Sequence, residues 1–527
     1  MQTIENINNM ENELLNLVKA NVKLVQIISY ESLRIHAMLV KVSKELGKDL
    51  FIWNRVEGVK QWNIENRQFK EKDTEAQTPD AALDFFKENN NLIFLLEDFY
   101  PDLTEDKPRM IKTFRNIALN NTKDKTLVLS QPFLQLPKEL EKEVHILELP
   151  YPDFNDIKAI YNKVKNEYNI PNSSEPDSEL IEAALGLTIM EAEKAFALAY
   201  IESGSLSSTE VPLVIREKEN VIKKSGYLEY YHPKETMTDV GGLNNLKDWL
   251  VKRGRGFDKG AKDFGLDFPR GILLLGIPGT GKSLTAKAIG NEWHFPLLRL
   301  DMGKIFGGIV GESEKNIREA LNIAEAIAPS ILWIDEIEKG MSGISSSGST
   351  DGGTTARVLG TFLTWMQEKT KPVFVVATAN DISQLPPELL RKGRVDEIFF
   401  VDLPTEKERE EILKIHLKKK NRKPEKFKTN ELAKQSKGFS GAELEEVVKE
   451  ALFQAYDEEK EIDDSHIFAA ISKTFPLSRT MHETIEKMRK WANSRAVSAS
   501  SDEPESLEDK DKDVPKLKQE TYSNPFI

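Results

Sequence analysis

Two α/β domains in series, the second followed by a small helical module, are predicted from three observations. Short apolar, β-rich runs alternate with helix-length mixed segments in both halves of the chain, which is the rhythm of a parallel sheet covered by helices. In the second half a glycine-rich loop follows one such run and opens a helix-length stretch. From Lys407 the pattern turns wholly helical. A chain of 527 residues leaves room for about three domains at 100 to 200 residues each.

In the first domain, residues 1–202, the runs at 24–29, 50–53, 92–96 and 126–129 read as buried strands. Ser203-Gly204-Ser205-Leu206-Ser207-Ser208 has the composition of a hinge, and the charged segment 216–224 that of an exposed helix. Together they make a linker over 203–235. The large second domain, 236–404, supplies strands at 271–275, 297–300, 331–334, 373–377 and 398–401. A helical lid over 405–475 and a C-terminal helix over 476–497 follow. From Ser498 to Ile527 the residues are mostly Ser, Asp, Glu, Lys and Pro, which predicts a disordered tail.

The two halves read as copies of one plan. Leu136-Pro137-Lys138-Glu139-Leu140 leads to Leu149-Pro150 as Leu385-Pro386-Pro387-Glu388-Leu389 leads to Leu403-Pro404, five residues closer in the first half. Leu96-Glu97-Asp98 parallels Ile334-Asp335-Glu336, and Gly186-Leu187-Thr188 parallels Gly438-Phe439-Ser440. The first copy is degenerate: Ser29-Tyr30-Glu31-Ser32 stands where the second has its glycine-rich loop. An unrelated α/β domain is the competing reading, and a different strand order in the two halves would decide for it.

Composition excludes several functions. Acidic residues outnumber basic ones by 86 to 73, and a net charge of −13 disfavours a nucleic-acid binder. No cysteine is present, so disulfides, thiolate metal sites and cysteine nucleophiles are excluded together. No secretory or transit segment is visible at the N-terminus, and the longest apolar runs fall far short of the roughly 20 residues a spanning helix needs. The expectation is a cytoplasmic protein that does not cross a membrane.

Gly276-Ile277-Pro278-Gly279-Thr280-Gly281-Lys282-Ser283 matches G-x-x-x-x-G-K-[ST]. Its glycines let backbone N–H groups converge on phosphate oxygens, and the helix that follows turns its positive dipole end to the same charge. Lys282 is expected to neutralise the β- and γ-phosphates. Ser283 offers a hydroxyl to Mg2+, and Leu284 ends the nucleotide-binding stretch. A plain glycine-rich turn is the competing reading. At the end of the 331–334 strand, Asp335 would hold Mg2+ through its water shell and Glu336 would take the proton of the attacking water, unless the pair merely caps a helix. Asn380 ends another buried run and orients the lytic water or caps a turn. Arg391 and Arg394 suit the charge that develops on a transferring phosphoryl group, or else pair with Asp396 or Glu397.

These segments together resemble an AAA ATPase module over residues 236–473. Asp239-Val240-Gly241-Gly242-Leu243 is similar to the family's adenine-contacting segment, and Gly311-Glu312-Ser313-Glu314 to its characteristic helix start. His416 matches the histidine placed near the nucleoside, with an ordinary helix-surface role as the alternative. Gly438-Phe439-Ser440-Gly441-Ala442-Glu443-Leu444 resembles the second sensor in an arginine-free form, with Gly441 and Ala442 facing the nucleotide. The stretches 305–310 and 363–368 are similar to those of an uncharacterised AAA family encoded as a hypothetical reading frame in plastids and cyanobacteria. That similarity runs through both halves.

The resemblance implies a RecA-like large domain with a helical lid, binding of ATP and Mg2+, and hydrolysis to ADP and phosphate. It implies that Arg391 and Arg394 are arginine fingers acting on ATP held by a neighbouring copy, so activity requires a homo-oligomeric ring, usually a hexamer. Arg357 would support the same interface. The ring would remodel an unknown protein partner; the runner-up is a nucleotide-gated scaffold with slow turnover. Threading members carry an aromatic residue where this chain has Ile309, with Phe306 close by as a substitute. The compartment is the cytoplasm, or the stroma for a plastid-encoded chain.

Overall fold

The computed structural model describes residues 2–73, 76–120, 124–170, 177–306, 312–341, 352–391 and 393–506. The chain divides into one unit ending at Ser225 and another beginning at Gly226.

The first unit holds a seven-stranded sheet of β1 (Leu24–Ile28), β2 (Asp49–Asn54), β3 (Gly58–Asn63), β4 (Gln68–Asp73), β5 (Leu92–Glu97), β6 (Lys125–Gln131) and β7 (Val144–Glu148). Its order is β4-β3-β2-β5-β6-β1-β7. The pairs from β2 to β7 are parallel, and β3 and β4 add an antiparallel hairpin at the β2 edge. Alternate strand residues face two separate cores, as a sheet covered on both sides requires. Leu24, Phe94 and Leu96 pack with Phe86 and Phe114, whereas Val25, Ile93 and Leu95 pack with Leu14, Ile35 and Leu39.

Four helices complete this unit, Phe154–Glu167, Ser178–Ala183, Ile189–Ser203 and Val211–Ser225, around Ile157, Tyr161, Phe196 and Val214. The segment expected as a linker is therefore packed as far as Ser225. Val211, Val214 and Ile222 fall at helical spacing, and Val214 and Ile222 are buried. The Ser- and Gly-rich hinge is a helix end followed by a cap: Gly204 takes the left-handed conformation, and Glu210 accepts the Ser207 N–H at 2.8 Å. Burial pushes the Glu210 carboxyl up, but hydrogen bonds from Ser205, Ser207 and Thr209 outweigh it and hold the group at about 2.

The second unit has a seven-stranded sheet of β8 (Leu228–Tyr231), β9 (Gly271–Gly276), β10 (Leu297–Leu300), β11 (Ser330–Ile334), β12 (Val373–Ala379), β13 (Glu397–Val401) and β14 (Val497–Ser498), in the order β14-β13-β9-β12-β11-β10-β8. Only β8 runs antiparallel to its neighbour. Numbered by their order along the chain, five consecutive parallel strands are arranged 5-1-4-3-2 in both units: β7-β1-β6-β5-β2 and β13-β9-β12-β11-β10. The two halves thus share one topology, as the copied-plan reading requires.

Four helices form the lid, Glu406–Lys419, Thr429–Gln435, Gly441–Asp457 and Asp464–Lys473, around Leu413, Leu432, Val447 and Ile467. The chain then returns to the sheet through the helix His482–Arg495, whose Arg489 grips Asp402 at 2.8 and 3.1 Å. The disordered tail expected from Ser498 differs from the structure over its first nine residues. Val497 and Ser498 extend the sheet beside Phe399 and Phe400, Ala499 donates its N–H to Phe400 O at 3.0 Å, and Glu505 accepts from buried Arg409 at 3.0 Å. Backbone pairing and charge hold this segment, and neither needs the large apolar residues whose scarcity suggested disorder. Residues 507–527 lie outside the described residues.

Candidate active site

β9 ends where β13 runs close alongside it, and a Cβ on Gly276 would lie 2.0 Å from Val401 O, so only glycine fits. The loop then turns through Gly279 at φ +78° and Gly281 at φ +93°, a left-handed region that favours glycine, into the helix Lys282–Trp293. Lys282 is buried, and its ammonium donates to Gly276 O and Ile277 O, both at 2.8 Å. Burial pushes its pKa down to about 8 while the charges of Glu338, Asp335 and Glu336 pull it up, so the group still favours its cationic form at neutral pH. Ile277 is buried, and Leu284 packs against the large-domain core.

β11 delivers the two predicted carboxylates. Asp335 Oδ1 accepts the Ser283 hydroxyl at 2.7 Å and the Thr378 hydroxyl at 2.7 Å. Glu336 takes φ +48°, its N–H donates to Thr378 Oγ1 at 2.9 Å, and its Oε1 accepts the Asn380 amide at 2.9 Å. Its other oxygen meets Lys339. Asn380 therefore does more than cap a turn, since its side chain holds the expected general base. Its own N–H donates to Glu338 at 2.9 Å. Burial raises the Glu338 carboxyl above the usual range.

The lid closes on the loop from one side. Ala442 donates its N–H to Gly279 O at 2.9 Å, beside Gly441 at the start of the lid helix Gly441–Asp457. A Cβ on Gly241 would lie 2.6 Å from Ile412 Cγ1, so the 239–243 segment packs on the helix Glu406–Lys419. His416 lies one turn beyond Ile412, and burial lowers its pKa. Val240 is buried. Asp239 caps the turn at Thr236 and pairs with Lys419 at 2.9 Å, so its carboxylate serves this packing.

The arginines stand apart from this cluster. Arg391 is exposed and makes no ion pair among the described residues, while Arg394 donates to Leu363 O at 2.6 Å, so neither takes the pairing with Asp396 or Glu397 that was the alternative. Asp396 instead accepts the Arg270 N–H at 2.7 Å. Arg357 pairs with Glu314 at 2.6 Å. Ile309, Gly311 and Lys392 lie outside the described residues. Sequence reasoning passed over Thr378 and Glu338, the two residues that hold the backbones of Glu336 and Asn380. A polar residue at the end of an otherwise apolar buried strand was the available signal for Thr378.

The hydroxyl of Ser283 and the carboxylate of Asp335 form a hard oxygen donor pair beside an anion cradle. That suits Mg2+, which takes one or two protein oxygens and completes its shell with water and phosphate.

In the first unit the corresponding place is filled from within. Asp98 takes φ +49°, as Glu336 takes +48°. Where the phosphate cradle would be, Glu31 accepts the Ile189 N–H at 2.7 Å and pairs with Arg34, which also donates to Pro150 O at 2.6 Å.

Residues 272–403 match the model of the ATPase family associated with various cellular activities, and 427–469 that of the AAA+ lid domain. Residues 10–149 and 155–225 match the N-terminal and second domains of SpoVK-like AAA ATPases. The chain is 42% identical to an uncharacterized AAA domain-containing protein, ycf46, of Pyropia yezoensis, over 86% of this chain and 92% of that protein. The protein of the same name from Guillardia theta is 39% identical over 92% of this chain and 95% of its own length. A proteasome-activating nucleotidase of Aeropyrum pernix is 30% identical over 65% of this chain and 83% of its own.

Proposed function

The chain belongs to the AAA ATPase family and to its group of uncharacterized AAA domain-containing proteins, and from that premise we propose that it hydrolyses ATP as a ring of identical copies, a hexamer, to remodel a protein partner. The observation that carries this reading is the hydrogen bond from Asn380 to Glu336, 2.9 Å long, beside Lys282 and the Ser283–Asp335 pair.

The N–H groups of the 276–283 loop and the helix that follows bind the phosphates. Lys282 exchanges its two carbonyl partners for phosphate oxygens. Ser283 and Asp335 would hold Mg2+, whose positive charge would offset that of the phosphates. Glu336 accepts the proton of the water that attacks the γ-phosphorus, the bond to the bridging oxygen breaks, and ADP and phosphate leave. Asn380 keeps the Glu336 carboxylate turned to that water. The 239–243 segment, His416, Gly441 and Ala442 form the nucleoside side of the site, so that nucleotide exchange moves the lid. Arg391 and Arg394 reach the ATP of the next copy. The compartment is cytoplasmic or stromal.

The test is a Glu336→Gln chain loaded with ATP. It is expected to retain ATP, to turn over about 10²–10⁴-fold more slowly than the wild type, and to carry its protein partner through purification. Unaltered turnover removes Glu336 from the mechanism. A ring without a client, whose slow hydrolysis no protein stimulates, would favour the scaffold.

A further inference from the structure

Thr378 lies next to the end of β12 and is buried. A hydroxyl has one proton to give and lone pairs to receive, and here both functions are used within one site. The proton goes to Asp335 Oδ1 at 2.7 Å, and a lone pair takes the Glu336 N–H at 2.9 Å. One side chain thus ties the metal-facing carboxylate and the backbone of the proton acceptor to the neighbouring strand.

The other restraints on this pair differ in kind. The Ser283 hydroxyl that also reaches Asp335 Oδ1 is itself a donor to the metal, so its bond is exchanged when a ligand arrives. Asn380 restrains only the far end of the Glu336 side chain. Glu336 sits at φ +48°, a conformation that a non-glycine residue keeps only when its surroundings demand it. The Thr378 hydroxyl is the side-chain contact that does so at the backbone.

We propose, resting on the reading of this site as an ATPase, that Thr378 is a positioning residue for hydrolysis: it aims Asp335 at the metal and holds Glu336 in its left-handed turn. Valine keeps the shape and removes both hydrogen bonds, whereas serine keeps the hydroxyl. Thr378→Val is therefore expected to lower kcat about 10- to 100-fold, the effect of a small misplacement of reacting groups. Affinity for a fluorescent ATP analogue in EDTA should stay within about twofold, since binding without metal does not use these bonds. The Mg2+ concentration at which metal strengthens analogue binding should rise, and Thr378→Ser should restore both readouts.

Wild-type kcat and Mg2+ dependence in the valine chain would overturn the proposal. So would loss of analogue binding in EDTA in a folded chain, which would mark a general structural role. If valine prevents folding, Thr378→Ala is judged by the same criteria. If the wild-type ring does not hydrolyse ATP, the ATPase reading falls by itself, while the Mg2+ dependence of analogue binding still decides whether Thr378 aims Asp335.

Discussion

Ser500 gives its hydroxyl proton to Glu408 Oε1 at 2.6 Å, and that same oxygen accepts the Leu243 N–H at 3.1 Å. The other Glu408 oxygen accepts the Thr405 N–H at 2.9 Å and caps the first lid helix. One carboxylate thus ties together the C-terminal segment, the lid and the 239–243 segment. Truncation after Ala496 should remove the Ser500 tie to this carboxylate, uncover the β13 edge and leave buried Arg409 without Glu505. The expected loss is about 3–5 kcal/mol, as for breaking a buried ion pair. Urea unfolding of the second unit measures it, and an unchanged midpoint would mean that the segment is not bound in solution.

Arg391 is exposed and makes no ion pair among the described residues, and the ring reading proposed above assigns it to the ATP of the neighbouring copy. Arg391→Ala should lower turnover about 10³-fold or more while leaving each chain's own ATP binding intact. Mixing it with Lys282→Ala, which lacks phosphate binding, should restore measurable turnover in mixed rings. There an intact Arg391 faces an intact cradle. Two inactive variants that stay inactive when mixed, in rings shown to exchange subunits, would place Arg391 on its own nucleotide or on none.

Glu31 stands in the first unit's loop as a carboxylate held by the Ile189 N–H and Arg34, and its negative charge opposes the binding of a phosphate there. Calorimetric titration should find one ATP per chain, and Lys282→Ala should reduce this to none. Glu31→Ala takes the acceptor from the Ile189 N–H and one of two carboxylate partners from Arg34, which keeps Pro150 O and Asp156, and should destabilise the first unit by about 1–3 kcal/mol, without creating a nucleotide site. A stoichiometry of two would show that the Glu31 contacts open.

Much of this architecture was legible because it rests on patterns that local chemistry enforces. The nine strands read from apolar runs are all present, and the 276–283 loop sits between β9 and its helix because glycines and a helix start can be read from neighbours in sequence. Elements held by edge pairing escaped. β3, β4, β8 and β14 occupy sheet margins, where burial is one-sided or slight, and β7 exposes His145, Ile146 and Glu148. In the site, the residues proposed to meet the nucleotide were read from their motifs. Thr378, Glu338 and Glu408 were not, because each acts through partners about 40 or 165 residues away in sequence, a relation visible only once the sheet and lid are assembled.

Lys218 is enclosed in the helical part of the first unit, where its ammonium has the Ala183 carbonyl as an acceptor at 3.2 Å. Desolvation pushes its pKa down to about 7, from an ordinary value near 10.5. Below about pH 7 the lysine is protonated in both folded and unfolded chains, so the full cost of burying its charge is present there. Between about 7 and 10.5 the unfolded chain binds the extra proton, and stability rises with pH across that window. Lys218→Met keeps the length of the side chain and removes the charge. At pH 6.5 it should raise the stability of the first unit by about 1–3 kcal/mol, and the gain should shrink steadily toward pH 10. The difference between variant and wild type, followed by urea unfolding at several pH values, cancels the other titrating groups. A gain independent of pH would mean that the lysine reaches water and keeps its charge in the folded chain.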